Sequence, residues 1–151
     1  MGKAKLIFLG TGTSQGVPII GCHCAVCRSE DPRDKRLRAA ALVEYCGLRI
    51  LVDAGPDFRT QMLREDVTHI DAILLTHNHM DHTGGLDDVR AFNYIDRKPV
   101  HIYCEEKVLN TLKIMFGYAF ADPKYPGSQV SRIPGVAHTP DRRLPFRCHS
   151  R

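Results

Sequence analysis

The segment best suited to chemistry is residues 76–85, which read Thr-His-Asn-His-Met-Asp-His-Thr-Gly-Gly. Three imidazoles and one carboxylate fall within six positions of it, directly after an apolar run. No rule of packing asks for such a cluster, whereas imidazole nitrogen and carboxylate oxygen suit zinc and similar ions. We therefore predict a metal site. Its candidate ligands are His77, His79, Asp81 and His82.

The spacing of these ligands predicts two ions rather than one, because a single ion cannot easily take four groups from so tight a loop. His77 and His79 alternate at the end of a predicted strand, so both rings point to one side, and Asp81 and His82 follow in the turn. We expect each pair to hold one ion. Water at such ions loses its proton near neutral pH and becomes a hydroxide nucleophile, which Asp81 could orient while coordinating.

A second candidate metal site is formed by Cys22, Cys24 and Cys27. Three thiolates in C-x-C-x-x-C spacing are soft donors, and a closed tetrahedral zinc site needs a fourth ligand. The sequence leaves that ligand open among three remote residues. They are His138, Cys148 and His149. The alternative is three small buried or reduced cysteines without a metal.

Asp53 is the candidate for supporting the metal ligands. It ends the apolar run 50–52 and is followed by Ala54 and Gly55. A carboxylate at a strand end, beside a glycine turn, can accept a hydrogen bond from a metal-bound histidine and fix the tautomer of that ring. The alternative is an ordinary turn aspartate.

Two motifs together resemble a known family. The pattern H-x-H-x-D-H-x-x-G at residues 77–85 is the signature of metallo-β-lactamase-fold hydrolases. The run from Leu9 to Pro18, followed by the cysteine motif, is similar to the PhnP-like branch, the cyclic-phosphodiesterase relatives of the RNase Z group. The resemblance covers roughly residues 3–127.

The resemblance implies an α/β fold, the metallo-β-lactamase-like αββα sandwich. It implies hydrolysis of a phosphodiester, typically a small cyclic one, at a two-metal centre of zinc or manganese. RNA processing of the RNase Z type is the nearby alternative. The cysteines resemble a separate structural zinc site whose fourth ligand comes from far along the chain, and Asp53 matches an aspartate that supports the metal ligands.

Hydrophobic periodicity predicts the elements that must position these residues. Two strands joined at Cys46-Gly47 read as a hairpin, and strands then alternate with helices, which indicates an α/β layered domain. The predicted strands are 5–9, 39–45, 48–52, 72–75 and 100–103. The predicted helices are 57–64, 86–94 and 105–116.

The length, charge and composition of the chain limit the classes of protein to which it can belong. The 151 residues are 43% hydrophobic and 25% charged, enough for one domain with a real core. A net charge of +4 is compatible with a small phosphorylated substrate but too weak to argue for nucleic-acid binding. The N-terminal residues lack the pattern of a signal peptide and no apolar run approaches the length of a membrane span, so we expect neither feature. We expect a cytoplasmic protein whose six cysteines are reduced or metal-bound rather than disulfide-paired.

The metal site implied by the resemblance is incomplete in this sequence. The family expects two further histidines and a bridging aspartate from the second half of its fold, and no residue after Tyr118 stands in a matching context. Residues 131–151 are rich in arginine and proline and lack periodicity. We therefore predict the N-terminal half of a metallo-β-lactamase-like domain at 1–130 and an irregular tail at 131–151, in a chain truncated or out of frame near residue 125.

Two functional classes remain open on these grounds. The first is a metal-dependent phosphodiesterase, and the second is an inactive zinc-binding fragment of such a hydrolase. A half sheet would leave an open edge and an uncovered apolar face, so we expect such a fragment to oligomerise, with a homodimer as one form.

Overall fold

The computed structural model describes residues 3–120 of the chain. In that part, five strands alternate with short α-helices, and 3-10 helices occupy Pro32–Asp34 and Leu86–Val89. The strands are β1 (Lys5–Gly10), β2 (Ala40–Tyr45), β3 (Leu48–Val52), β4 (Ala72–Leu74) and β5 (His101–Tyr103). The α-helices are α1 (Ala25–Arg28), α2 (Phe58–Arg64), α3 (Met80–Thr83), α4 (Arg90–Asp96), α5 (Glu106–Met115) and α6 (Gly117–Phe120).

The strands form one sheet in the order β1-β2-β3-β4-β5. The first three strands pair antiparallel, and β3, β4 and β5 pair parallel. Parallel strands end at the same edge of a sheet, so the segments that follow β3, β4 and β5 meet there. Asp53 follows β3, the histidine segment follows β4, and Cys104 follows β5. The topology therefore gathers the predicted metal site at one edge.

The turn between β2 and β3 is formed by Cys46 and Gly47, with φ angles of 51° and 79°. Two positive φ angles are typical of a two-residue type I′ turn, whose twist matches that of the flanking strands. Cys46 is disulfide-bonded, so the expectation that all six cysteines are reduced or metal-bound is wrong at this position. Free thiols are found at Cys22, Cys24, Cys27 and Cys104.

The hydrophobic core lies between one face of the sheet and the helices. The register places Leu42 beside Leu51, Leu51 beside Ile73, and Ile73 beside Ile102. All four side chains are buried, and each contributes about 1.5–3 kcal/mol relative to an exposed position. The helices cover them with large apolar side chains. These are Phe58 and Met62 of α2, Phe92 of α4, and Val108 and Leu112 of α5.

The opposite face of the sheet is also apolar, but it is open to solvent at its edge. Leu6 and Phe8 of β1 are 54% and 66% exposed. The register continues this face through Val43 and Ala41 on β2 and through Ile50 and Val52 on β3. A sheet that is apolar on both faces is suited to cover on both sides.

The predicted α/β fold class is confirmed, and the predicted strands and the helices predicted at 57–64 and 105–116 are present with ends within two residues of the prediction. The single helix predicted at 86–94 is instead a 3-10 helix, Leu86–Val89, followed by α4, Arg90–Asp96. Two further details differ. A short helix, α3, begins inside the histidine segment where a turn was predicted, and the stretch between β1 and β2, for which no helix was predicted, contains α1 and a 3-10 helix. The predicted tail at 131–151 lies outside the described residues. Within residues 3–120, no helix is long and apolar enough to cross a membrane.

Candidate metal centre

The histidine segment changes conformation halfway along its length. β4 ends at Leu74, and the chain stays extended as far as His79, whose φ and ψ are −69° and 149°. His79 is the N-cap of α3, so Asp81 and His82 lie in the single turn of that helix. The backbone N–H groups of His82 and Thr83 both donate to the carbonyl of His79. This turn folds the second half of the segment back onto the first.

The fold brings three of the four predicted ligands together. One ligand atom from each of His77, Asp81 and His82 lies within 4.8 Å of the other two. The rings of His77 and His82 are 3.9 Å apart at their centroids, and Asp81 Oδ2 lies 3.1 Å from His82 Nε2. His79 falls outside this triple, although its ring lies 4.7 Å from that of His77. The predicted division into a His77/His79 pair and an Asp81/His82 pair stays a prediction.

The surroundings of His82 could accommodate a metal ion. Its Nδ1 lies 2.7 Å from Asp53 Oδ2, and its Nε2 faces Asp81 at 3.1 Å. A neutral imidazole carries one N–H and can donate to only one of the two carboxylates. The remaining nitrogen then faces a carboxylate as acceptor to acceptor, a contact that needs a proton or a metal ion between them. Bonds of about 2.0–2.2 Å to nitrogen and oxygen are compatible with zinc in that position.

Asp53 lies where the sequence predicted a supporting carboxylate. It is 5% exposed, and its φ of 62° is in the left-handed region, which non-glycine residues rarely occupy. Such a conformation costs of order 1–3 kcal/mol and persists only when its surroundings fix it. Here the backbone N–H of Asp53 donates to the Leu74 carbonyl, and the side chain accepts from His82 and Thr76. The prediction named no particular histidine; the structure places the contact at His82, and the role of Asp53 in supporting a metal ligand stays a prediction.

Thr76 is a site residue that the sequence reasoning missed. Its backbone N–H donates to Asp53 Oδ1 at 2.8 Å, and its hydroxyl lies 2.8 Å from Asp53 Oδ2. The same hydroxyl lies 2.9 Å from Nδ1 of His77. The available signal was a hydroxyl residue directly before the first histidine, at the end of a strand that neighbours the strand of Asp53.

Two glycines allow the histidine segment, residues 76–85, to approach the chain between β3 and α2 closely. A Cβ at Gly55 would overlap the carbonyl of Asp81, and a Cβ at Gly85 would overlap the carbonyl of Gly55. Two backbone hydrogen bonds fix this contact. The N–H of Ala54 donates to the His82 carbonyl at 2.8 Å, and the N–H of Gly85 donates to the Ala54 carbonyl at 2.9 Å. The chain after β3 therefore holds α3 through its backbone.

The other side of the segment is attached to α5. The side-chain amide of Asn78 donates to the hydroxyl of Thr111 at 3.0 Å, and that hydroxyl donates to the carbonyl of Lys107. Asn78 stands between His77 and His79, so its hydrogen bond to Thr111 limits movement of both histidines. The segment is thus held by β3 on one side and by α5 on the other.

The cysteine motif forms a second cluster. The Sγ atoms of Cys22, Cys24 and Cys27 all lie within 4.8 Å of one another. Cys24 is the N-cap of α1, and the Cys27 N–H that donates to it lowers the pKa of the Cys24 thiol, as does hydrogen bonding with Cys22. The Ile19 N–H acts to lower the pKa of Cys27, but contacts with the other two thiols and burial outweigh it and leave that pKa raised.

These thiols have the chemistry that zinc requires. Thiolates are the form that binds metal, and Cys24 is the member whose hydrogen bonds favour that form. The three predicted candidates for the fourth ligand, His138, Cys148 and His149, lie outside the described residues.

The chain is similar in sequence and in fold to several known proteins. Residues 48–149 match the family model described as Beta-lactamase superfamily domain. The structure of a new diphosphatase from the PhnP family is similar over 80% of this chain and 49% of its own, with a TM-score of 0.76 and 50% sequence identity. Zn²⁺-bound PqqB from Methylobacterium extorquens is similar over 74% of this chain and 40% of its own, with a TM-score of 0.61 and 25% identity.

An octanoyltransferase from Porphyromonas gingivalis is 45% identical over 130 residues, which are 85% of this chain and 26% of that protein. The chain thus spans between a quarter and about half of the length of these relatives. The match to the octanoyltransferase leaves most of that protein uncovered, so the activity in its name gives no guide to the matched segment.

Proposed function

The chain belongs to the beta-lactamase superfamily, and on that premise we propose that it is a metal-dependent hydrolase acting on a small phosphodiester. The observation that carries the proposal is the position of His82 between Asp53 and Asp81, with His77 beside it. A likeness of 50% identity to a diphosphatase of the PhnP family supports phosphorus–oxygen bonds as the bonds attacked.

Hydrolysis adds water across one P–O bond: the water oxygen bonds to phosphorus, and the leaving oxygen departs with a proton. A bound metal ion would supply a Lewis acid that polarises the phosphoryl oxygen and lowers the pKa of water. His77 and His82 would bind the metal through Nε2, and Asp81 through a carboxylate oxygen. The other oxygen of Asp81 would accept a hydrogen bond from the attacking water, while Asp53 holds the ring of His82 in place.

We propose zinc or manganese for this centre and zinc for the cysteine cluster. Nitrogen and oxygen donors accept either ion, whereas three thiolates favour zinc. The role of zinc at Cys22, Cys24 and Cys27 would be structural, because it would fix the loop between β1 and β2. The similarity to Zn²⁺-bound PqqB supports metal binding by this fold.

The substrate has two candidate classes. A small cyclic phosphodiester agrees with the motifs, and a diphosphate agrees with the similarity to a diphosphatase of the PhnP family at 50% identity. Both classes are hydrolysed by attack of water on phosphorus with cleavage of one P–O bond. Turnover of bis(p-nitrophenyl) phosphate, a 2′,3′-cyclic nucleotide and a nucleoside diphosphate, measured side by side, would separate diester from anhydride hydrolysis.

The proposal is tested by metal content and turnover of the same preparation. We expect more than one tightly bound metal ion per chain and turnover of bis(p-nitrophenyl) phosphate. We expect His82→Ala to reduce that turnover by at least about a hundredfold, since loss of a ligand should exceed the 10–100-fold effect of losing a supporting residue. His69→Ala is the matched control, because His69 lies before β4, at the opposite end of that strand from the histidine segment, and its Nε2 lies 4.0 Å from Asp71.

Equal activity of His82→Ala and His69→Ala would contradict the proposal. One metal ion per chain, bound at the cysteines, with no turnover of any of the three substrates, would instead support the inactive zinc-binding fragment.

A further inference from the structure

We propose that Thr76 is a positioning residue: the buried carboxylate of Asp53, which contacts His82 directly, also sets the tautomer of His77 through the hydroxyl of Thr76. That these two rings bind a metal ion rests on the proposed function. The hydrogen bonds do not, and they can be tested without any substrate.

The acceptor side of the network is Asp53. An ionised carboxylate only accepts hydrogen bonds, and this one is 5% exposed, so its partners are protein groups. Its Oδ1 accepts from the backbone N–H of Thr76 at 2.8 Å, and its Oδ2 lies 2.7 Å from Nδ1 of His82. Nδ1 of His82 is therefore the donor to Asp53, and its Nε2 is the nitrogen that faces Asp81 and the proposed metal position.

The hydroxyl of Thr76 extends this control to His77. It lies 2.8 and 3.0 Å from the two oxygens of Asp53 and 2.9 Å from Nδ1 of His77. A hydroxyl has one proton, and it can donate that proton either to the carboxylate or to the ring. A hydrogen bond to a charged acceptor is roughly twice as strong as one between neutral groups, so the proton goes to Asp53.

The direction of the second hydrogen bond follows. Because the hydroxyl proton is committed to Asp53, only lone pairs of Oγ1 remain towards His77. Nδ1 of His77 must then be the donor, and its Nε2 carries the free lone pair. The two rings are thus held in the same tautomer by one buried carboxylate, directly in one case and through Thr76 in the other.

The consequence is a preorganised pair of ligands. An imidazole whose Nε2 is protonated cannot bind a metal there until it changes tautomer, and a fraction of chains in the wrong form lowers the apparent affinity. Supporting residues of this kind change metal affinity by 10–100-fold when they are removed. We expect the lower end of that range for Thr76, because its hydroxyl acts on one ring of the set.

The test is the ¹⁵N spectrum of the histidine rings in the 151-residue chain, recorded without metal and again with zinc. We expect His77 to be protonated on Nδ1 in the metal-free chain and to bind zinc through Nε2. Thr76→Val keeps the shape of the side chain but removes the hydroxyl, and it should move His77 into a mixture of tautomers. It should also weaken zinc binding at this centre by about tenfold, and Thr76→Ser should restore both properties.

Thr83→Val is the matched control. Thr83 is fully buried, and its hydroxyl donates to the backbone carbonyl of His79 rather than to a ring. It should lose stability without altering the tautomer of His77, which separates positioning from a general loss of packing.

Protonation of His77 on Nε2 in the unaltered chain would overturn the proposal, even if Thr76→Val failed to fold. An unchanged tautomer in a folded Thr76→Val chain would overturn it as well. Absence of phosphodiester turnover with the expected tautomers would reject the proposed function and leave the role of Thr76 intact.

Discussion

Asp53 illustrates how far single residues could be predicted. Its position at a strand end beside a glycine is visible in the sequence, and a contact with a histidine was expected on that basis; the structure places it at His82. The contact with Thr76 was missed, because the sequence shows a hydroxyl residue before the histidines but not which strand end lies beside it. It depends on the parallel pairing of β3 with β4, which places the ends of these two strands side by side.

The cysteines provide a prediction at the same scale. Hydrogen bonds from the Cys27 backbone and from Cys22 lower the pKa of Cys24, whereas burial raises the pKa of Cys104. A thiol with a lower pKa is more often the reactive thiolate at neutral pH. In the metal-free chain we expect iodoacetamide to modify Cys24 faster than Cys104, and the rate for Cys24 to level off at a lower pH.

Mass spectrometry of peptides after timed alkylation measures both rates. Added zinc should protect Cys24 and leave Cys104 unchanged, which makes Cys104 the internal control. Faster modification of Cys104 than of Cys24 would contradict the lowered pKa that the hydrogen bonds give to Cys24.

At the scale of elements, the sequence predicted those with a clear period and missed those without one. The core strands and α5 have regular apolar spacing, and their predicted positions were right within two residues. α3 is only four residues long and consists of Met80, Asp81, His82 and Thr83. No apolar period can be recognised in it, and it forms because the backbone after β3 holds it in place. The residues that were predicted to form a turn, Asp81 and His82, therefore lie in a short helix.

This backbone contact gives a prediction for Gly85. A methyl group there would overlap the Gly55 carbonyl and lie 2.6 Å from Cβ of Phe58. Overpacking of this kind typically costs about 1–3 kcal/mol, so Gly85→Ala should lower the free energy of unfolding by that amount. It should also weaken metal binding, because it displaces α3 and its two ligands from His77.

Gly117→Ala is the control for that experiment. Gly117 begins α6, and a Cβ there would meet no atom within 4 Å. Since alanine favours helix over glycine by up to about 1 kcal/mol, this variant should be neutral or slightly stabilising. Urea unfolding and zinc titration of both variants make the comparison. Equal effects of the two substitutions would contradict the role assigned to the Gly55–Gly85 contact.

At the scale of the whole molecule, the sheet has two apolar faces that differ in their surroundings. One face packs against α2, α4 and α5 and forms the core. The sequence predicted this layer because its strands and helices alternate. It also indicated an uncovered second face, but periodicity alone cannot show what covers such a face, because contacts between layers come from residues far apart in the chain. The relatives are about twice as long or longer.

The open face leads to the last prediction. Phe8 is 66% exposed on β1 and continues into the apolar rows of β2 and β3, and contiguous apolar patches promote association. We expect the 151-residue chain to bind the dye ANS and to self-associate with rising concentration in sedimentation experiments. Phe8→Lys should reduce both effects and leave the unfolding midpoint nearly unchanged, since Phe8 contributes little to the core. Ile114→Lys changes a residue that is 84% exposed on α5, away from this face, and should change neither effect. Equal behaviour of the two variants would show that the open sheet face does not drive association.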